Sequence, residues 1–389
     1  MNFAMSMRRM MQTNTAGKLC SISVGVGAAA FSAKWASMGH MAGLNMFSTA
    51  TDSTTKMVEK WPERFSYCSY AANAPIEDRA SITVSDDESV LVSVIDGHGG
   101  WQVAEYVREK LSTYFFESWN SLQDSNSENK DGNASASFST SFRRVEEELL
   151  DALLPVFRLG FGNVARIGAC TTSAHISSEE IVVANAGDCQ CVLGLSDGNF
   201  ERLTNEHNAK ELKEQGLLQR DHPDESMESL VRCKSSRSCY VKGVLQPTRS
   251  IGDFYLKDER FQGPTPSDIR PYVRSDPTRS RRVASPYNPP YIKGEPEITI
   301  LKRREDQEFL VIASDGLWDE LRPYEVIRII KMMKKKSNFA EAASALVEAA
   351  LMRVAKEHRV DLQTVLNVPA KKRRSVHDDI TCIVVDLKA

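Results

Sequence analysis

The stretch Ser89-Val-Leu-Val-Ser-Val-Ile-Asp96-Gly97-His98-Gly99-Gly100 sets an apolar run of strand length directly against an acid, a histidine and three glycines. The same arrangement recurs outward along the chain. Residues 181–187 run into Asp188, residues 309–314 run into Asp315, and in reverse order Asp378-Asp379 opens the run 380–385. Short Val- and Ile-rich runs without a helical period read as buried strands.

A carboxylate at a buried strand end is costly unless something compensates it. Several gathered at one sheet edge repel one another, and one or two divalent cations remove the repulsion. A donor set of oxygens alone, with no Cys or His cluster, favours Mg²⁺ or Mn²⁺ over Zn²⁺. In this reading Asp96 bridges two cations. Gly97 offers its carbonyl because no side chain holds the backbone away, and His98 stands ready to transfer a proton. Glu77-Asp78 adds two acids before a strand, and Asp315 and Asp319 lie four apart across a strand-to-helix turn whose Trp318 belongs to the core. Each stretch alone reads equally as an ordinary turn or a solvated acidic loop; their joint recurrence carries the argument.

The 389 residues have a net charge of -3, with 41% apolar and 26% charged side chains. These are globular proportions, and the charge argues against a dedicated nucleic-acid binder. No run is long and apolar enough for a transmembrane span; residues 19–31 come nearest but are short and carry Gly and Ser. None of the eight cysteines forms a CxxC pair. They read as reduced and structural, with a Cys233–Cys239 disulfide as the open exception. Residues 1–50 hold Arg8, Arg9, Lys18 and Lys34 and no acid before Asp52. That composition fits a mitochondrial transit segment. An unselected tail on a cytoplasmic or membrane-associated protein is the plain alternative. A secretory signal is the third, and the reduced cysteines count against it. The expected organisation is a disordered targeting segment over 1–60 and one catalytic domain over 61–389, interrupted by a Ser/Asn/Asp-rich disordered insertion at 121–141.

Strands are expected at 65–71, 80–84, 89–96, 169–176, 181–186, 191–195, 200–203, 297–301, 309–314 and 380–387, with a hairpin signal at 196–199. Helices are expected after residue 100, with Val103, Val107, Leu111 and Tyr114 on one face, and at 142–159, 208–219, 324–335 and 339–357. Residues 220–290 and 360–376 read as irregular. Antiparallel strand runs and paired helices together suggest two packed sheets with helical layers outside.

Seven motifs in this order resemble the metal-dependent Ser/Thr protein phosphatases, the PPM or type 2C family. They are Glu77-Asp78, Asp96-Gly97-His98-Gly99-Gly100, Gly168-Ala169-Cys170-Thr171, Ala184-Asn185-Ala186-Gly187-Asp188, Arg249-Ser250-Ile251-Gly252-Asp253, Asp315-Gly316-Leu317-Trp318-Asp319 and Asp378-Asp379-Ile380-Thr381. The resemblance covers residues 65–387. It implies an α+β fold, an αββα sandwich of two antiparallel sheets flanked by helices. It also implies a two-cation site of Asp96, the Gly97 carbonyl, Asp315 and Asp378, with Glu77 acting through water. Asp188 and Asp319 would form a weaker third position, and His98 would be the general acid toward the leaving oxygen of a phosphoprotein. Within the family, Asn73-Ala74-Pro75-Ile76-Glu77-Asp78-Arg79 is most similar to mitochondrial pyruvate dehydrogenase phosphatase catalytic subunits, which implies a pyruvate dehydrogenase-type complex as partner. Plant members share the 241–253 stretch and His377-Asp378-Asp379.

Three positions depart from the family pattern. Asn73 stands where many members carry a phosphate-holding Arg, so Asn73 and Arg79 become the phosphate-binding candidates. Cys189-Gln190 replaces the usual Ser-Arg, and Cys170 replaces a Ser or Thr. Two other functions compete. A pseudophosphatase scaffold would have lost central acids. A metal-dependent phosphodiesterase or nuclease would need a basic groove, whereas the basic clusters 334–336 and 371–374 read as solvated helix ends or loops.

Overall fold

The computed structural model describes residues 53–85, 88–124, 133–236, 238–262 and 283–389. Two antiparallel sheets form its centre. The first runs β1 (Phe65–Tyr70), β13 (Ile380–Asp386), β12 (Gln307–Ala313), β6 (Gln190–Leu195), β7 (Phe200–Arg202). The second runs β11 (Glu297–Lys302), β5 (Glu180–Ala186), β4 (Gly168–Ile176), β3 (Val90–His98), β2 (Arg79–Val84), with β10 (Ile251–Gly252) also paired to β4.

Side chains alternate across each strand, and both faces of the central strands are apolar. Val92 and Val94 of β3, Leu310 and Ile312 of β12, and Ile383 and Val385 of β13 share the core between the sheets. The intervening residues face outward onto helices. Leu91 and Ile95 pack with α2 (Gln102–Asp124) and α3 (Asn133–Arg158). Val311 and Val384 pack with α5 (Pro323–Lys335) and α6 (Ala342–Glu357). This is the expected αββα sandwich. α4 (Leu212–Asp221) lies outside it, slightly later than the 208–219 expected.

The first helix among the described residues, α1 (Ser53–Lys60), lies inside the span expected to be disordered. Its Thr54 hydroxyl donates to the Ala80 carbonyl at 2.9 Å, and Met57 and Val58 pack on the inter-sheet core. The transit reading of residues 1–50 lies outside the described residues. The insertion expected at 121–141 is corrected at its two ends, while residues 125–132 lie outside the described residues. Ser121 to Asp124 complete α2, and α3 begins at Asn133. Within α3, Ser137, Phe138 and Ser141 are buried, and both serine hydroxyls donate to backbone carbonyls of the same helix. Small hydroxyl residues serve here as close-packing positions, although their composition resembles that of a solvated linker. Phe138 lies fully buried with its ring 4.6 Å from that of Phe115. Phe138→Ala is therefore expected to cost about 3–5 kcal/mol in urea unfolding; a change of a few tenths would mean that this part of the chain is not packed.

The region expected to be irregular over 220–290 contains a hairpin, β8 (Val231–Ser235) with β9 (Ser238–Val241). Cys233 sits opposite Cys239 and the two form a disulfide, so the open exception is realised; Cys68, Cys170, Cys189, Cys191 and Cys382 are free and buried. A buried ion pair ties this region down. The Lys242 ammonium donates to Glu225 Oε2 at 2.7 Å, the Pro286 carbonyl at 2.7 Å and the Ser229 hydroxyl at 3.0 Å. No helix among the described residues is long and apolar enough to cross a membrane.

Candidate functional site

The two sheets deliver their acidic strand ends to one edge. Asp96 is near the end of β3 and Asp188 follows β5 in the second sheet. Asp315 follows β12, and Asp378-Asp379 precedes β13 in the first. Carboxylate oxygens of Asp96, Asp188 and Asp315 lie within 4.8 Å of one another. Burial pushes the Asp96 and Asp315 carboxyls well above the usual carboxylate range, and the neighbouring charges of Asp78, Asp188 and Asp378 add to it. Burial first and then Asp379 push Glu77 up to about 7. Burial also pushes Asp378 up to about 6, against the pull of the Arg374 guanidinium. Asp319 begins one turn after Asp315, to whose carbonyl its N–H donates at 2.8 Å, and its charge raises the Asp315 carboxyl further.

This cluster suits a hard divalent cation. All the gathered donors are oxygens, and Asp315 Oδ1 and Asp78 Oδ1 are buried without a hydrogen-bond partner. A side chain at position 97 would place its Cβ 2.5 Å from the Glu77 carbonyl oxygen, so only glycine lets the 72–78 loop lie against β3.

The raised carboxyls set a pH dependence for the metal-free protein. A carboxyl with a raised folded pKa binds more protons folded than unfolded, so stability falls as pH rises through that interval. For Glu77 the interval runs from 4.5 to about 7. In chelator, Glu77→Gln is expected to be more stable than the parent at pH 8, on the order of 1–2 kcal/mol. The difference should vanish by pH 4, as read by denaturant melts at both pH values.

His98 sits at the end of β3 beside the acids. Its Nε2 lies 2.6 Å from Asp253 Oδ2, and the Ser250 hydroxyl donates to that same oxygen at 2.7 Å. Burial acts to lower the imidazole pKa, but Asp253, helped by Asp188 and Glu77, raises it above its ordinary value. Asp253 is completely buried in a left-handed turn at φ 52°. A Cβ at Gly168 would fall 2.0 Å from its carboxylate and 2.6 Å from His98 Nε2. The glycine of the 168–171 motif therefore makes room for the histidine–aspartate pair.

Asp253 and Asp379 were not among the expected site residues, although both close quoted motifs. Asp379 accepts from the N–H groups of Ala72 at 2.6 Å, Asn73 at 2.8 Å and Glu77 at 2.8 Å, and from the Asn73 amide at 3.0 Å. It folds the loop that presents Glu77. Both residues expected to bind phosphate have partners within the protein. The Asn73 amide is occupied by Asp379. The Arg79 guanidinium donates to Glu105 and to the carbonyls of Ile76 at 3.0 Å and Asp78 at 2.7 Å, and it lies over the Trp101 ring. Each is committed to holding the loop. Of the departures, Cys170 faces Asp96 across β3 and β4 and is buried, as is Cys189. Trp318 donates its indole N–H to the Ala313 carbonyl at 3.0 Å.

A family model for protein phosphatase 2C matches residues 69–359, well over half of the chain. The chain belongs to the protein phosphatase 2C family. It is 31% identical over 338 residues to "Probable protein phosphatase 2C 48" of Arabidopsis thaliana, covering 84% of this chain and 81% of that one. It is 32% identical over 322 residues to "Probable protein phosphatase 2C 78" of Oryza sativa subsp. japonica, covering 81% and 75%. Among solved structures, serine-threonine phosphatase 2C from Toxoplasma gondii superposes with TM-score 0.57 at 15% identity, over 82% of this chain and 94% of that one. A C. elegans sex determining protein superposes with TM-score 0.57 at 14% identity, over 96% and 77%. At these identities the two structures speak for the fold. As a protein phosphatase 2C, the chain is a hydrolase of phosphoserine and phosphothreonine in proteins, with the metal dependence general to that family.

Proposed function

We propose that this phosphatase 2C works through two divalent cations, Mg²⁺ or Mn²⁺, held by Asp96, the Gly97 carbonyl, Asp315 and Asp378. Glu77 would act on the cations through water, and Asp188 with Asp319 would hold a weaker third one. The carrying observation is the convergence of Asp96, Asp188 and Asp315 within 4.8 Å at an edge built from both sheets. When bound, such cations acidify a water and neutralise charge on the phosphoryl oxygens. The remaining work falls to the chain. Asp379 holds the loop that carries Glu77. Asp253 engages His98 Nε2 and raises the imidazole pKa, which favours its protonated form and leaves Nδ1 as the nitrogen that hands a proton to the departing seryl or threonyl oxygen. The retained acids favour an active enzyme over a phosphoprotein-binding scaffold. The test is turnover of p-nitrophenyl phosphate and a phosphopeptide with and without Mn²⁺. Activity that persists in chelator overturns the metal assignment.

The finer reading is a mitochondrial enzyme like the pyruvate dehydrogenase phosphatases. Its support is the likeness of residues 73–79 and the acid-free segment before Asp52. Residues 1–50 fused to a fluorescent protein should enter mitochondria; a cytosolic or secretory signal overturns the address without touching the phosphatase chemistry.

A further inference from the structure

We propose that Arg374 is the side chain that grips the substrate phosphate, an inference that rests on the site reading above. Four observations converge on it. The position where a phosphate-holding arginine is usual carries Asn73, whose amide is taken by Asp379. Arg79, the nearest cation in sequence, is consumed by Glu105 and two carbonyls of its own loop. Lys210, whose charge is felt by Asp319, has its ammonium paired with Glu206. Arg374 is different: its Nη2 stands 2.6 Å from Asp378 Oδ2 at the acidic edge, its charge is felt by Glu77, and 57% of its side chain is exposed.

Arg374 follows the helical turn Ala370–Arg373, whose own Arg373 is anchored inward on the carbonyls of Val368 and Ala71. That anchor fixes the base of the Arg374 side chain, more than half of which is exposed. A guanidinium carries five N–H donors in a planar fork, and Asp378 engages it through Nη2. The rest of the fork is free to receive two oxygens of a phosphate dianion in parallel, the geometry for which arginine is suited and lysine is not. The cation thus comes from the segment before β13 and not from the loop after β1, where Asn73 and Arg79 are already engaged.

The test begins with the parent protein and a phosphopeptide in Mn²⁺, followed by calorimetric titration with inorganic phosphate in the same buffer. Arg374→Ala is expected to raise KM for the peptide, and to weaken phosphate binding, by about ten- to a hundredfold, the range for losing a charge-assisted hydrogen-bonded pair. Arg374→Lys should recover only part of each. If KM and phosphate affinity are unchanged and only the Mn²⁺ concentration for half-activation moves, Arg374 merely neutralises Asp378 and the inference is overturned. An inert parent protein sinks the site reading and this inference with it, whereas an active parent matched by Arg374→Ala sinks the inference alone.

Discussion

Asp96→Asn is expected to lower turnover more than about a thousandfold, on the order of 4 kcal/mol of transition-state stabilisation, while the protein stays folded. The substitution keeps the shape of the side chain and removes the charge at the centre of the cluster. Asp96 is half-buried beside Asp78, Asp188, Asp315 and Asp378, so its charge is unfavourable in the absence of a cation. The same variant should therefore melt higher than the parent in chelator and should lose the further stabilisation that Mn²⁺ gives the parent. Rates on a phosphopeptide with Mn²⁺ and melting curves with and without chelator read both effects. Near-normal turnover would remove Asp96 from the centre of the mechanism.

His98→Ala carries the second large effect. Loss of a positioned general acid costs about a hundred- to ten-thousandfold, but only where the leaving oxygen needs the proton. A seryl alkoxide needs it and a nitrophenolate does not. The expected result is a deep loss on phosphopeptide beside a shallow loss on p-nitrophenyl phosphate. Asp253→Asn should follow the same pattern less severely, because it removes the partner that orients the ring at Nε2. Equal losses on both substrates would assign His98 a purely positional role.

Strand ends that terminate in acids were legible in the sequence because two adjacent signals coincide, an apolar run and a charge that must be compensated. Asp96, Asp188 and Asp315 are brought together as that reading requires. What escaped the reading depends on partners distant in sequence. Asp253 acquires its role from His98, 155 residues away. Asp379 acquires its role from a loop more than 300 residues away. No local pattern separates such acids from their neighbours. Position along the loop singles out Asn73 and Arg79 but does not show that Asp379 and the loop carbonyls engage them. Arg374 was hidden inside a basic run that resembles any solvated helix end. Residues 133–141 escape for a different reason: Ser and Ala satisfy both a linker and a tightly packed helix pair, and only tertiary burial, here of Ser137, Phe138 and Ser141, distinguishes the two.

The hold of Asp379 on the Ala72–Glu77 loop has a consequence for biosynthesis. A ribosome translates Asp379 307 residues after Ala72, a delay of about 15 to 60 s at ordinary elongation rates. Throughout that interval the loop bearing Glu77 lacks its organiser and β1 lacks its neighbour β13. The nascent chain can thus display most of its acids while the loop bearing Glu77 is still unorganised, and phosphatase activity is expected only once Asp379 and β13 have been made and paired.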